Sequence, residues 1–333
     1  MKVDYENIVE VLQRILLEHG FSDEKAKLCA ELFAKASLDG VNSHGVNRFP
    51  FFLKTIKRGW VKVDAEPVKV STFGALEQWD GKLGPGNLNA HFCMDTAISL
   101  ARKHGIGCVA IRNTNHWIRA GNYGLQAAEA GQIGICFTNA KPNMVVWGGK
   151  EAKTGNNPLV IAIPNQQHPL LLDMSVSLYS YGKLWEYANR NEALPFDGGL
   201  DSQGTITKDP LKIIQSELAL PAGLWKGSGL SIMLDLLVSL LAQGRTSSEL
   251  GDEEYGNCQV FIAIDLKRLV PADEQEMTIQ RVVDYVKSSE PMEGQNEVRY
   301  PGERTIATRE RQIREGVEVD PRIWNEILDK IEK

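Results

Sequence analysis

Within a span of six residues the chain sets Ser43, His44 and Arg48: a hydroxyl, a titratable imidazole and a permanent cation. An imidazole titrates near ~6.5 and can give or take a proton at cell pH. Reduction of a ketone leaves an alkoxide that needs a proton, and a placed histidine commonly contributes about 10²–10⁴-fold in that role. The planar fork of Arg48 matches a carboxylate. Gly45 lets backbone and substrate approach closely. A plainer reading fits the same residues equally well: a histidine at a helix end beside a surface arginine.

A second polar group, Asn113-Thr114-Asn115-His116-Trp117, follows a predicted strand, and strand ends are where α/β sheets place ligands. His44 and His116 have no HxxxH spacing and no carboxylate at ligand spacing, so no metal is expected. Gly105-Ile-Gly107-Cys-Val-Ala110 matches G-x-G-x-x-A as a string, but helix precedes it and strand follows, the reverse of a dinucleotide fingerprint. Gly227-Ser228-Gly229 opens a helix beside Lys226, so its amides could hold an anion. No P-loop, G-x-S-x-G or Cys/His nucleophile pattern is present.

The elements that must carry these groups read as follows. Apolar spacing predicts a helix over 3–19. Ser22-Asp23-Glu24 starts a second that runs to about Leu38. A third, from near Asn47 to before Gly59, holds Pro50 in its first turn. Residues 41–47 form the tight turn between helices. After a glycine-rich loop at 81–86, a helix is expected over 87–103. Strands are expected at 106–111, 133–137, 159–163, 170–172 and 260–264, with a helix over 123–129. Residues 139–157 read as a long loop and 191–204 as a surface excursion. The stretch 230–243 is apolar nearly all round and reads as a buried helix, too short to span a bilayer. A helix over 277–287 follows, and Asp320-Pro321 starts the last one. Helix alternating with strand gives an α/β class.

Composition excludes several classes. The 333 residues are 43% hydrophobic and 24% charged with net charge −6, which argues against nucleic acid as a partner. Five cysteines, Cys29, Cys93, Cys108, Cys136 and Cys258, are scattered with no CxxC pair, as in a reducing compartment. The N-terminal residues mix charge into every turn and do not read as a signal peptide. A cytoplasmic protein with no membrane partner is expected. His91 and His168 read as surface residues, and His19 and His104 as helix-end residues.

Ser43-His44-Gly45-Val46-Asn47-Arg48-Phe49-Pro50, Asn115-His116, Asn157-Pro158, Asp173-Met174-Ser175, Lys226-Gly227-Ser228-Gly229 and Pro301-Gly302 together resemble the malate/L-lactate dehydrogenase-like family of NAD(P)-dependent 2-oxoacid reductases. That family is distinct from the Rossmann lactate and malate dehydrogenases. Within it, residues 74–80, 115–117, 181–182, 224–227 and 253–256 are similar to members acting on a sugar-derived 2-oxoacid. The resemblance implies a mixed central sheet in a non-Rossmann α/β fold, flanked by helices from both ends of the chain. Three segments are expected: a helical one with the catalytic turn (1–80), a nucleotide-binding core (81–297) and a C-terminal helical segment packing back (298–333).

The resemblance also implies a homodimer that uses NADH, with NADPH the alternative, on a small 2-oxoacid. His44 would be the proton donor, and Ser43, Arg48 and His116 would line the substrate pocket. Cofactor contacts would fall on Pro169, Leu170, Leu171, Leu172, Asp173, Met174 and Ser175, on Trp225 and Lys226, and on Gly302, Glu303 and Arg304. One departure is Asn156, where many members carry threonine; nothing is carried over to His168. Malate, lactate, ureidoglycolate and cyclic imino acids stay open as substrates, as does a non-catalytic sugar-acid sensor.

Overall fold

The computed structural model describes residues 1–251 and 255–331, so Glu253 and Glu254 of the 253–256 match lie outside it. The chain begins with helix α1 (Tyr5–Glu18), which buries Ile8, Leu12, Ile15 and Leu16 as one stripe. Helix α2 (Asp23–Leu38) starts where its capping signal predicts, with the Ser22 hydroxyl accepting the Lys25 amide. Helix α3 (Phe49–Lys57) follows with Pro50 in its first turn. Phe33 of α2 meets Phe49 edge-on at 5.2 Å in the core these helices share. The final helix, Pro321–Leu328, closes that core with Trp324 and Ile327, and Asp320 accepts the Arg322 amide as its cap.

Seven strands form one mixed sheet: β1 (Val68–Phe73), β2 (Leu76–Asp80), β3 (Ile106–Asn115), β4 (Ile133–Thr138), β5 (Leu159–Ile163), β6 (Leu170–Met174) and β7 (Tyr255–Ile264). Their order is β1-β2-β3-β7-β4-β5-β6; β2 and β3 run parallel and every other pair is antiparallel. Alternation along β3 splits the core in two. Val109 and Ile111 pack under helices α4 (Gly86–His104) and α5 (Gly121–Glu129). Ala110 faces the opposite layer, where helix α7 (Trp225–Ala242) brings Leu234 and Val238; helix α6 (Tyr181–Asn189), before it in the chain, buries Leu184 in a separate cluster with Leu194 and Ile213. Helix α8 (Glu303–Glu315) returns to the first layer. Gln312 donates to the Ser37 and Leu38 carbonyls at 3.0 and 2.8 Å, satisfying the end of α2.

Several expectations change. The strand from Ile106 runs to Asn115, because Thr114 and Tyr255–Asn257 continue the ladder past a bulge. β1 and β2 come from a stretch with no predicted element; β1 alternates only over Val68-Lys69-Val70-Ser71 and is exposed along its whole length, burying neither face. The loop 139–157 contains a small hairpin, Met144–Val145 against Ala152–Thr154. Residues 191–204 are not a free excursion: Leu194 and Leu200 are buried, Leu194 beside Ile213 and Ala219. The helix expected at 230 begins at Trp225, making it 18 residues long and, by length and composition, enough to cross a membrane. It is also not a buried helix. Met233, Leu236, Leu237 and Leu240 stand exposed, because only one side of it meets the sheet. His91 is half-buried beside Asp95 rather than on the surface.

The turn between α2 and α3 is two short 3₁₀ turns, Asn42–His44 and Val46–Arg48, joined at Gly45. A Cβ on Gly45 would stand 2.1 Å from the Ser37 hydroxyl, which accepts the Val46 amide at 2.8 Å. The glycine therefore serves the contact with α2, rather than an approach by substrate. Gly45→Ala is expected to destabilise the fold by about 3 kcal/mol, because buried backbone must shift. Urea unfolding reads this directly, and an unchanged midpoint would contradict it.

Candidate active site

The 41–48 turn forms one wall of a cleft of about 1180 Å³. The other walls are the loop after β3, strand β6, the start of α6 and the start of α8. Ser43, His44, Arg48, His116, Leu171, Leu172, Asp173, Ser175, Gly302 and Arg304 all line it. Sequence positions from 43 to 304 therefore meet in one place.

The two histidines stack, with ring centroids 5.7 Å apart and planes 19° from parallel. The Ser43 hydroxyl lies 3.0 Å from His44 Nδ1 and fixes one edge of that ring. On His116, Nδ1 accepts the Ile118 amide at 3.0 Å. Its proton is therefore on Nε2, and the ring is a donor toward its other side. Ile118 makes this bond from a left-handed backbone with φ of 67°, a strained conformation for a β-branched residue. Burial, and then the Arg48 guanidinium, push the His116 pKa down to about 3, so the ring is neutral at cell pH. The Arg48 guanidinium carbon stands over the Phe51 ring, 4.2 Å from its centre, which holds the cation against that face.

At the far wall Asp173 ends β6. Its Oδ2 accepts the Gly121 amide at 3.0 Å and lies 3.6 Å from Arg119 Nε. Burial pushes its carboxyl above the usual carboxylate range, with Arg119 and the Gly121 amide pulling the other way. Beside it, Pro301 accepts the Leu171 amide at 3.1 Å. Gly302, with φ of 94°, comes so near that a Cβ would stand 2.9 Å from Leu171 N. That close approach sets the first amides of the 13-residue helix α8 next to Asp173. A carboxylate and a helix start on one wall can serve a nucleotide: the carboxylate can accept ribose or carboxamide donors, and the free amides of the helix start can face phosphates.

Not every predicted site residue reaches the cleft. Trp225 and Lys226 stand exposed at the start of α7, and Lys226 Nζ lies 6.0 Å from the Trp225 ring centre. Pro169, Leu170 and Met174 are not on the wall, and the Glu303 carboxylate is bonded to Lys287 at 2.6 Å. Asn156 lines the cleft, with its oxygen 3.5 Å from the Asn143 amide. The sequence reading missed Lys141, paired with Glu217 at 2.7 Å, Tyr181, bonded to the Asn143 carbonyl at 2.8 Å, and Gln259. Gln259 had a signal, an amide directly before the apolar run Val260–Ile264; in the fold it is fully buried and donates to the Asn115 carbonyl at 2.8 Å.

Comparison with known proteins agrees with this layout. A family model described as malate/L-lactate dehydrogenase matches residues 3–328. The 2,3-diketo-L-gulonate reductase of Citrobacter koseri is 44% identical over 331 residues, covering 98% of this chain and 99% of that protein. Sulfolactate dehydrogenase from Methanocaldococcus jannaschii superposes with a TM-score of 0.89 at 30% identity, covering 100% and 98% of the two chains. Malate dehydrogenase from Entamoeba histolytica gives 0.94 at 25% identity, covering 100% and 97%. The chain is an α/β oxidoreductase acting on CH–OH groups, of a class that uses a nicotinamide cofactor. The chain belongs to the malate/L-lactate dehydrogenase family.

The depressed His116 pKa has a defined consequence for pH. The unfolded imidazole takes a proton near ~6.5, the folded one only near about 3. The stability this gives is complete above about pH 6.5 and is lost as the pH falls toward about 3. The His116 ring resonance is expected not to titrate between about pH 5 and 8 in an NMR series. An inflection near ~6.5 would contradict the assignment.

Proposed function

We propose that the cleft reduces 2,3-diketo-L-gulonate to 3-keto-L-gulonate with NADH. The observation that carries the reading is the His44–His116 stack with Arg48 on one wall. The chain's likeness along its length to reductases of that diketo acid supports it. The bound nicotinamide supplies the hydride that reduces the C2 carbonyl.

The protein's own groups do the rest. His116, neutral and with its proton on Nε2, donates a hydrogen bond to the carbonyl oxygen and steadies the negative charge that grows there. His44, oriented by Ser43, hands a proton to the nascent alkoxide. Arg48 grips the C1 carboxylate with its fork and holds C2 in register. Asp173 accepts hydrogen bonds from the nucleotide, and the first amides of α8, at Gly302, Glu303 and Arg304, face its phosphates. Leu171, Leu172 and Ser175 complete that wall, with Pro169, Leu170 and Met174 holding strand β6 in place.

A second copy of the chain covers the exposed apolar residues of α7, giving a homodimer. Trp225 and Lys226 begin that helix outside the cleft of one chain, and in the dimer they would meet only the outer end of a nucleotide.

His44→Ala is expected to lower turnover of 2,3-diketo-L-gulonate by about 10²–10⁴-fold while leaving the NADH Kd unchanged. Near-normal turnover in stopped assays would remove His44 from the proton step.

A further inference from the structure

We infer that Arg119 is a positioning residue for the nucleotide, holding the Asp173 carboxylate in place through a buried chain of charges that begins at Arg309 on α8. The inference rests on the assignment of Asp173 to the nucleotide made above.

The chain has four members in contact. Arg309 donates to Asp39 through Nε at 2.5 Å and through Nη2 at 2.7 Å. Asp39, whose side chain is fully buried, also accepts from Arg119 Nη1. Arg119 is itself 2% exposed, and its Nε turns to Asp173 at 3.6 Å with no hydrogen bond elsewhere among the described residues. Two cations and two anions alternate, so each buried charge has an opposite neighbour.

The geometry at Asp173 shows what the chain achieves. The Gly121 amide and Arg119 both address Oδ2, while Oδ1 has no hydrogen-bond partner among the described residues. One oxygen is tethered to the protein and the other is left to a ligand in the cleft. Gly121 makes the approach feasible, because a Cβ there would stand 2.6 Å from Asp173 Oδ2 and 3.2 Å from Arg119 Nε. Arg309 lies on the same helix whose start, at Gly302 and Arg304, lines the cleft. One series of ion pairs thus sets both sides of the nucleotide wall.

A purely structural arginine would alter stability and leave Asp173's contribution to binding alone. The two are separated by titrating NADH into the intact protein by calorimetry, for the parent, Arg119→Lys, Asp173→Asn and the double variant, with melting temperatures taken alongside. Arg119→Lys is expected to weaken NADH roughly tenfold when Asp173 is present and less than about twofold in the D173N background, the non-additivity of groups acting as a unit. An unchanged Kd for R119K, or equal losses in both backgrounds, overturns the inference. If D173N alone leaves the Kd unchanged, the nucleotide assignment of Asp173 falls, and the positioning role with it. Should R119K fail to fold, Arg309→Gln replaces it, at the half-buried end of the chain. It is expected to weaken NADH about threefold, again only with Asp173 intact, and an effect independent of Asp173 overturns the inference.

Discussion

The carboxylate of Asp39 has no exposure to solvent, and the molecule is arranged around keeping it paired. A buried ion without partners costs several kcal/mol. Burial raises the Asp39 pKa, but Arg119 and Arg309 more than offset this and hold it below the usual carboxylate range. The two arginines come from the loop after β3 and from α8, and Asp39 itself ends α2. One charge therefore joins three parts of the chain distant in sequence. The Ser43–Arg48 turn leaves α2 directly after it, His116 stands three residues before Arg119, and the α8 start lines the cleft. Fixing this junction fixes the positions of the cleft walls relative to each other.

The cleft then divides its electrostatics into two regions. On one wall the permanent cation of Arg48 suits an anionic substrate, and it also helps hold His116 neutral. A neutral imidazole can donate a hydrogen bond without adding a second positive charge beside Arg48. On the opposite wall Asp173 offers an acceptor, with the amides of α8 next to it. On the proposed mechanism, an acid on one side and a nucleotide on the other bring the reacting carbons together, and much of the barrier to such a reaction is the entropy of that meeting.

Local signals carried a good part of this. Ser22 and Asp320 cap their helices as their side chains predict, and the buried strands announced themselves by short apolar runs. The Ser43–Arg48 turn was visible as a cluster of reactive types, and matched stretches tied it to a family. Other features had no local signal. Arg119 sits among Trp117, Ile118 and Ala120, and its partner Asp39 is 80 positions away, so its role exists only in the folded chain. The α7 helix misled because apolar residues all round indicate burial without saying in what, and its outer side is bare in a single chain. β1 escaped because its Val68-Lys69-Val70-Ser71 alternation is only four residues long and buries neither face of this edge strand.

On the proposed mechanism, hydrogen moves from the nicotinamide to C2 of a 2-oxoacid held between Arg48 and His44. The direct measurement uses NADH deuterated at the transferring position, with 2,3-diketo-L-gulonate as substrate and NMR of the product as readout. One deuterium is expected on C2, with the new hydroxyl proton drawn from the protein and exchanged with solvent. Deuterium on C3, or a product without label, would contradict it.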